Sequence, residues 1–474
     1  MLKKIQTIIK AVFSQEYAKA SVYYVIANII GQGVVLLSSA VFTRLMSKSD
    51  FGLVSTYSTW VLVINTFICL NLFISVRIGY VDFRDDYDNY NSSVLLLNIL
   101  CGVVMTLMII AVTALFSGAF GFWEVLFACV QSVSLNIVNY MLAIQGMKNE
   151  YVPRSAMMVL PNWTHITLSV ILILVFFNNA YMAKIAGNSI GLLIFGVICT
   201  VLIFKKSPPK IIPKYWKYAL KVSVPSIFHT LSDLILMQCD RLMLTSMVGT
   251  EETAEYSVIY NVSSIIVAIY QAINGAWLPW FFNRVKENNA EKTRKYQGYY
   301  MLAFTVFSCG MMTISPELIK IISPSNYWDG INYVAPIVIA SYLIFLYAFL
   351  SSYLLYLKRT ARIAVNTVIA AALNLVLNYL LIPNYKAVGA VIATVASYSV
   401  LYVLHFIAVS KKDRSFFCVS KMWLNAFAVT AYGFVFFLIS DYWFIRYLLF
   451  AIATGLVYYM KGRAIIADIM KRKK

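Results

Sequence analysis

The sequence predicts an all-α integral membrane protein of about 14 transmembrane helices, in two pseudo-symmetric six-helix lobes plus two C-terminal helices. Three observations carry this. Of 474 residues, 61% are hydrophobic and 12% charged, and the mean hydropathy is +0.75; a soluble domain is about half apolar and a quarter charged. Apolar runs long enough to span recur along the whole chain, and about 20 residues suffice to cross the hydrocarbon. Two pairs of loop sequences also repeat between the halves. Aromatic residues, at 15%, suit belts at two membrane interfaces.

The opening MLKKIQTIIKAVFSQEYAKA does not read as a signal peptide, because Lys10 and Glu16 interrupt it and no cleavage-like site follows an apolar core. Leu2, Ile5, Ile9 and Val12 share one helical face, which fits a short interfacial helix. Six spans follow, near 20–43, 52–76, 92–115, 121–144, 155–177 and 181–204, and make a first lobe over 1–204. The basic stretch KKSPPKIIPKYWK (205–217) reads as a cytoplasmic linker. Spans near 218–246, 255–281, 298–320, 331–357, 363–382 and 387–409 make a second lobe over 218–410. Two further spans, 422–440 and 443–460, and a basic tail complete 411–474.

The repeat lies in the loops. TRLMSKSDFGLVSTYS (43–58) is similar to DRLMLTSMVGTEETAEYSVIYN (240–261), and the segment from Arg154 to FFNNAYMAKIAG (176–187) is similar to that from Arg362 to LIPNYKAVGA (381–390). Two related lobes around a midplane site are a common transporter plan.

Net charge is +19, with 39 Lys and Arg. With the N-terminus in the cytoplasm, six of them fall outside: Arg44, Lys48, Lys184, Lys320, Lys386 and Arg446. Arg241 lies within the seventh span, and the remaining 32 fall inside. That asymmetry is a positive-inside signal and places both termini in the cytoplasm of a multi-pass cell-membrane protein. No basic polar domain exists to bind nucleic acid. The seven cysteines are scattered without a CxxC pair, so neither a disulfide framework nor a metal site is expected. No loop is long enough for a catalytic or nucleotide-binding domain and no Walker motif occurs, so neither enzymatic activity nor a cofactor is expected.

The seventh span holds ionisable groups. Asp233 lies 12 residues beyond Lys221, about 18 Å along a helix, near the middle of a hydrocarbon core about 30 Å thick. His229 is one turn earlier on the same face, and Asp240 extends it. Such groups are costly against lipid, so they face a cavity or each other. His229 and Asp233 are therefore either an ion-coupling pair or a structural pair between helices. Pro225 is expected to kink the inner end.

Polar stripes at helical spacing mark other spans: Asn28 and Gln32 in the first, Gln271 and Asn274 in the eighth, Asn366, Asn374 and Asn378 in the eleventh. They fit either helix–helix hydrogen bonds or a cavity for sugar hydroxyls. Arg44 and Arg241 lie towards outer ends of spans one and seven, Arg77 and Arg284 at inner ends of two and eight. Arginine grips phosphate bidentately, so these four are candidates for a diphosphate; snorkelling to headgroups is the other reading. DDYDNY (85–90) contains a DxD match but no domain surrounds it. His165 is solitary and reads as packed.

These stretches, with YALKVSVPSIFHTLSDLILMQCDRLMLTSMVGTEETAEYSVIYN the most specific, resemble the bacterial polysaccharide-repeat-unit flippases of the multidrug/oligosaccharidyl-lipid/polysaccharide exporter superfamily. The resemblance covers nearly the whole chain. It implies a V-shaped pair of lobes and a substrate, an oligosaccharide on undecaprenyl diphosphate moved from inner to outer leaflet by alternating access. It implies membrane lipids and the polymerase and glycosyltransferases of the same pathway as partners. A lipid II flippase differs only in headgroup. A cation-coupled multidrug antiporter calls for an acidic cavity without arginines, and a glycan polymerase for longer outer loops.

Overall fold

The computed structural model describes residues 16–115, 121–175, 179–411 and 413–459. The expected interfacial helix at 1–15, the tip of the 176–187 stretch and the basic tail lie outside them. Among the described residues every regular element is helical. Twelve helical stretches are long and apolar enough to cross a membrane, and Trp443–Val457 is a shorter apolar helix. The chain is a multi-pass, all-α membrane protein.

Two compact units are present, Met1–Ala254 and Glu255–Lys474. In the first, α1 (Glu16–Leu45) and α2 (Lys48–Ile68) are followed by the short α3 (Phe73–Asp82) and a 3-10 turn at Arg84–Asp86. Then come α4 (Tyr87–Leu115), α5 (Phe122–Met147), α6 (Tyr151–Val175) and α7 (Ala180–Lys206). A docked linker leads to α8 (Pro213–Ser223) and α9 (Ser226–Met247), and α10 (Thr250–Lys286) carries the chain into the second unit. That unit contains α11 (Ala290–Ile322), a 3-10 stretch at Ser325–Tyr333, α12 (Val334–Tyr356), α13 (Thr360–Ala408), α14 (Val419–Ile439) and α15 (Trp443–Val457).

The fourteen expected spans are recognisable, and three of the regions are broken or joined locally. The second is split: Leu70 and Asn71 adopt φ of 51° and 52°, so α2 stops and α3 starts afresh. No Gly or Pro marks this break. The seventh is interrupted where expected, at Pro225, which lacks the N–H needed to continue α8. The eleventh and twelfth merge into α13, 49 residues turned at Lys386 (φ 51°, ψ −133°) after Pro383.

The first unit's core joins Leu72 and Val76 of the α2–α3 region to Tyr90 and Val94 of α4, Tyr140 of α5, Ile203 of α7 and Ala219 of α8. The linker is fastened to this core. Ser92 Oγ donates to Ser207 O (2.7 Å), Trp216 Nε1 to Ser93 O (2.9 Å), and the hydroxyls of Tyr215 and Tyr218 to Asp86 and Asp82. The second unit's core is aromatic: Phe345 meets Phe304 at 4.1 Å and Tyr300 and Phe349 at 5.0 Å between ring centroids. Trp277 adds a further ring, 5.4 Å from Phe349.

Candidate functional site

Because α9 restarts after Pro225, the polar side chains of the seventh span are set by one continuous register. His229 and Asp233 are four residues apart, one turn, and His229 Nε2 lies 3.5 Å from Asp233 Oδ2. Their side chains are 48% and 46% exposed, so this pair is open on one side within a mostly apolar helix. Two turns on, Asp240 is 2% exposed and its Oδ1 accepts from the N–H of Arg241 at 2.8 Å. Arg241 Nη1 donates to Gln238 on its own helix.

The broken second span packs against α9. At the break, Asn71 Nδ2 donates to Thr230 Oγ1 at 3.1 Å, one residue from His229. Irregular backbone at membrane depth persists where protein or a cavity surrounds it, and Asn71 is 1% exposed. Beyond the break, α3 carries Arg77, which is exposed. Among the described residues Arg77 has no hydrogen-bond or ion-pair partner, and Arg154 on α6 is near enough to repel it electrostatically.

The two loop sequences similar to one another, 43–58 and 240–261, meet at the other end of α2. Ser49 Oγ is 2.8 Å from Thr250 Oγ1, and Thr56 Oγ1 is 2.6 Å from Thr245 Oγ1. Gly52 makes this approach possible, since a Cβ there would lie 1.8 Å from the carbonyl oxygen of Thr250.

Of the other predicted residues in the first unit, Asn28 and Gln32 are half-buried on α1, and Arg44 is exposed with Nη1 donating to Ala40 O at 2.8 Å. In the second unit Gln271 is exposed and Asn274 half-buried on α10, while Arg284 pairs with Glu287 three residues on. Asn374 is 1% exposed and accepts from Asn378 Nδ2 at 3.0 Å, inside the helix packing. The structure thus brings His229 together with Asp233, and Asp240 with the backbone of Arg241. It places Arg77 beside Arg154, which the sequence marked only as part of the repeat.

Two buried cations escaped the sequence reading. Arg446 is 2% exposed and bridges Glu317, with Nη1 3.2 Å from Oε2, which ties α15 to α11. Lys184, counted as an outer charge, is 5% exposed among α1, α6 and α7. Aspartates of DDYDNY edge a polar cavity of about 530 Å³ with Arg84 and Lys206. Two of them are engaged within the protein, Asp86 by Tyr215 and Asp88 by Lys148 at 2.6 Å. No group of three or more metal-ligating side chains occurs among the described residues.

A family model described as "Polysaccharide biosynthesis protein" matches residues 17–285, more than half of the chain. A protein named "Probable low-salt glycan biosynthesis flippase Agl15", from Haloferax volcanii, is 26% identical over 201 residues. That alignment covers 40% of this chain and 40% of the relative, so the match extends over less than half of either. Among solved structures, one of a lipid II flippase, MurJ, in an inward closed conformation superposes with a TM-score of 0.71 at 14% identity, covering 95% of this chain and all of that one. An inward-facing multidrug resistance MATE family transporter of the MOP superfamily gives 0.62 at 15% identity, covering 86% and 99%. A MOP superfamily transporter from Pyrococcus furiosus gives 0.57 at 18% identity, covering 82% and 95%. These three likenesses are of fold.

Proposed function

Because the chain belongs to the polysaccharide biosynthesis protein family, we propose that it is a flippase for a lipid-linked oligosaccharide and not an enzyme. The substrate is a repeat unit on undecaprenyl diphosphate. It moves from the inner to the outer leaflet of the bacterial cell membrane by alternating access, and the chain's termini lie in the cytoplasm. The polymerase and glycosyltransferases of the pathway act before and after it. Agl15 of Haloferax volcanii, by its name a probable glycan biosynthesis flippase, supports this reading.

The observation that carries it is Arg77. Among the described residues its guanidinium is exposed, has no hydrogen-bond or ion-pair partner and lies close to a second arginine, an arrangement that favours an anionic ligand. It offers a bidentate fork for a doubly charged headgroup. In this reading His229 and Asp233, half-exposed and next to the Asn71–Thr230 contact with the broken span, sense ions or sugar as that headgroup passes.

The test is genetic. Disruption of the gene is expected to leave an undecaprenyl-diphosphate-linked glycan on the inner leaflet, identified by mass spectrometry. Complementation with Arg77→Ala should restore membrane abundance but not export. A charge-assisted hydrogen bond contributes about 1.5–3 kcal/mol, so the rate should fall about ten- to hundredfold. Arg77→Lys should recover part of it. Normal export by Arg77→Ala, or no accumulating glycan, refutes the assignment.

A further inference from the structure

Lys184 lies four residues into α7, about 6 Å along its axis, and is sealed there. Its ammonium sits 3.4 Å from the ring centroid of Phe42, itself 1% exposed, on α1. Nζ donates to Asn188 Oδ1 at 3.1 Å. The same amide oxygen is 3.1 Å from His165 Nδ1 and 3.2 Å from Ser169 Oγ, both on α6. A carbonyl oxygen has two lone pairs. Ser169 has a shorter alternative, His165 O at 2.7 Å, so Lys184 and His165 remain the two donors. The other ring nitrogen, Nε2, faces Asn162 Oδ1 at 3.3 Å. With the amides in this orientation both imidazole nitrogens point at acceptors, a pattern that a doubly protonated ring satisfies.

Neither base has a carboxylate partner among the described residues. Glu124 on α5 interacts with Tyr181 and caps its own helix at Gly121 N (2.5 Å), and Arg44 on α1 turns back to Ala40. Asp50 on α2 is held by Ser47, Asp88 on α4 by Lys148, and Arg154 lies at the far end of α6 against Gly146. On α7 itself the other cations, Lys205 and Lys206, are at its last turn. Two positive charges sharing one amide oxygen in a dry interior repel strongly, and two neutral bases leave the polar cluster short of a donor proton. One positive charge is what the cluster accommodates: on His165 it satisfies both ring nitrogens, and on Lys184 it faces the Phe42 ring.

We propose that Lys184, His165 and Asn188 form a binding site for a single proton, and that its occupancy sets the grip of α7 on Phe42 of α1. A protonated Lys184 holds the ring by cation–π attraction. Transfer of the charge to His165, or loss of the proton, removes that hold and lets α1 shift. The site is separate from His229 and Asp233 and lies wholly within the first unit. Its link to substrate movement rests on the flippase reading; the proton site itself does not.

Two arms separate these claims. In the full chain with its seven cysteines replaced, spin labels at Leu37→Cys and Ile190→Cys, both exposed positions, report the α1–α7 distance by pulsed electron resonance across pH. The unaltered site should show two populations that exchange with pH. Lys184→Met should hold one population throughout. His165→Gln should move the midpoint by about one pH unit, as expected for coupled groups. Phe42→Leu should abolish the response and Phe42→Trp retain it. A distance independent of pH, or a response that survives Lys184→Met, overturns the proposal. In vesicles containing undecaprenyl-diphosphate-linked oligosaccharide, Lys184→Met should lose stimulation by a pH gradient. If the unaltered chain moves no such lipid under any gradient, the flippase reading fails while the distance arm still decides the proton site.

Discussion

The helical hairpin α6–α7 and the hairpin folded within α13 start from similar sequence and end differently. Each carries Lys-x-x-Gly at the start of its second helix, Lys184–Gly187 and Lys386–Gly389. Each glycine permits close backbone packing: a Cβ at Gly187 would lie 2.5 Å from Ser169 Cα, and one at Gly389 2.6 Å from the carbonyl carbon of Leu381. Yet Lys184 is buried, whereas Lys386 is exposed at the left-handed turn. The residue after each glycine explains much of this. Asn188 supplies an acceptor, and Ala390 supplies none. Between Arg362 and Lys386 there is also no His, Lys, Arg, Asp or Glu to share a charge. A repeat preserves the backbone crossing; what it does with a cation depends on the facing residues.

Removing the shared element should have the largest effect. Gly187→Val drives side-chain atoms into the Ser169 backbone, and overpacking of this kind costs about 1–3 kcal/mol. The melting midpoint of purified protein should drop by several degrees with reduced membrane abundance. An unchanged midpoint would show that the crossing is not tight. Converting the first hairpin towards the second is the sharper test. Asn188→Ala leaves Lys184 and His165 without their common acceptor, a loss of about 1–3 kcal/mol. Adding Lys184→Met should recover part of that, so the double variant melts above Asn188→Ala alone. Additive losses would mean that the two side chains do not act together. The smallest effect concerns the exposed partner. Lys386→Gly relieves a left-handed residue, which costs an L-residue about 1 kcal/mol, so the midpoint should hold or rise slightly. A clear fall would assign Lys386 a contact beyond the turn.

These residues also show what was legible beforehand. Composition and periodicity locate helices well, because a lipid solvent demands long apolar runs. The interruption at Pro225 was legible because proline carries its cause in the chain. The break at Leu70–Asn71 was not: its hydrogen-bond partner, Thr230, is 159 residues away. Lys184 read as a topology charge for the same reason, since Phe42 and His165 decide its burial. For Asn374, spacing identified a polar stripe but not what it faces, and packing buries it. The positions of Arg77 and of the His229–Asp233 pair were legible; the nearness of Arg154 to Arg77 required the fold.

The bridge between Arg446 and Glu317 bears on how the chain is made. Over its 15 α-helical residues, α15 rises about 22 Å. It also carries an arginine in its first turn. An arginine in a spanning segment is costly to insert alone, and its acidic partner is synthesised 129 residues earlier. Its entry into the bilayer is therefore expected to be easier once α11 is in place. The ion pair thus gives the arginine of a late helix a partner that an earlier helix has already brought into the membrane.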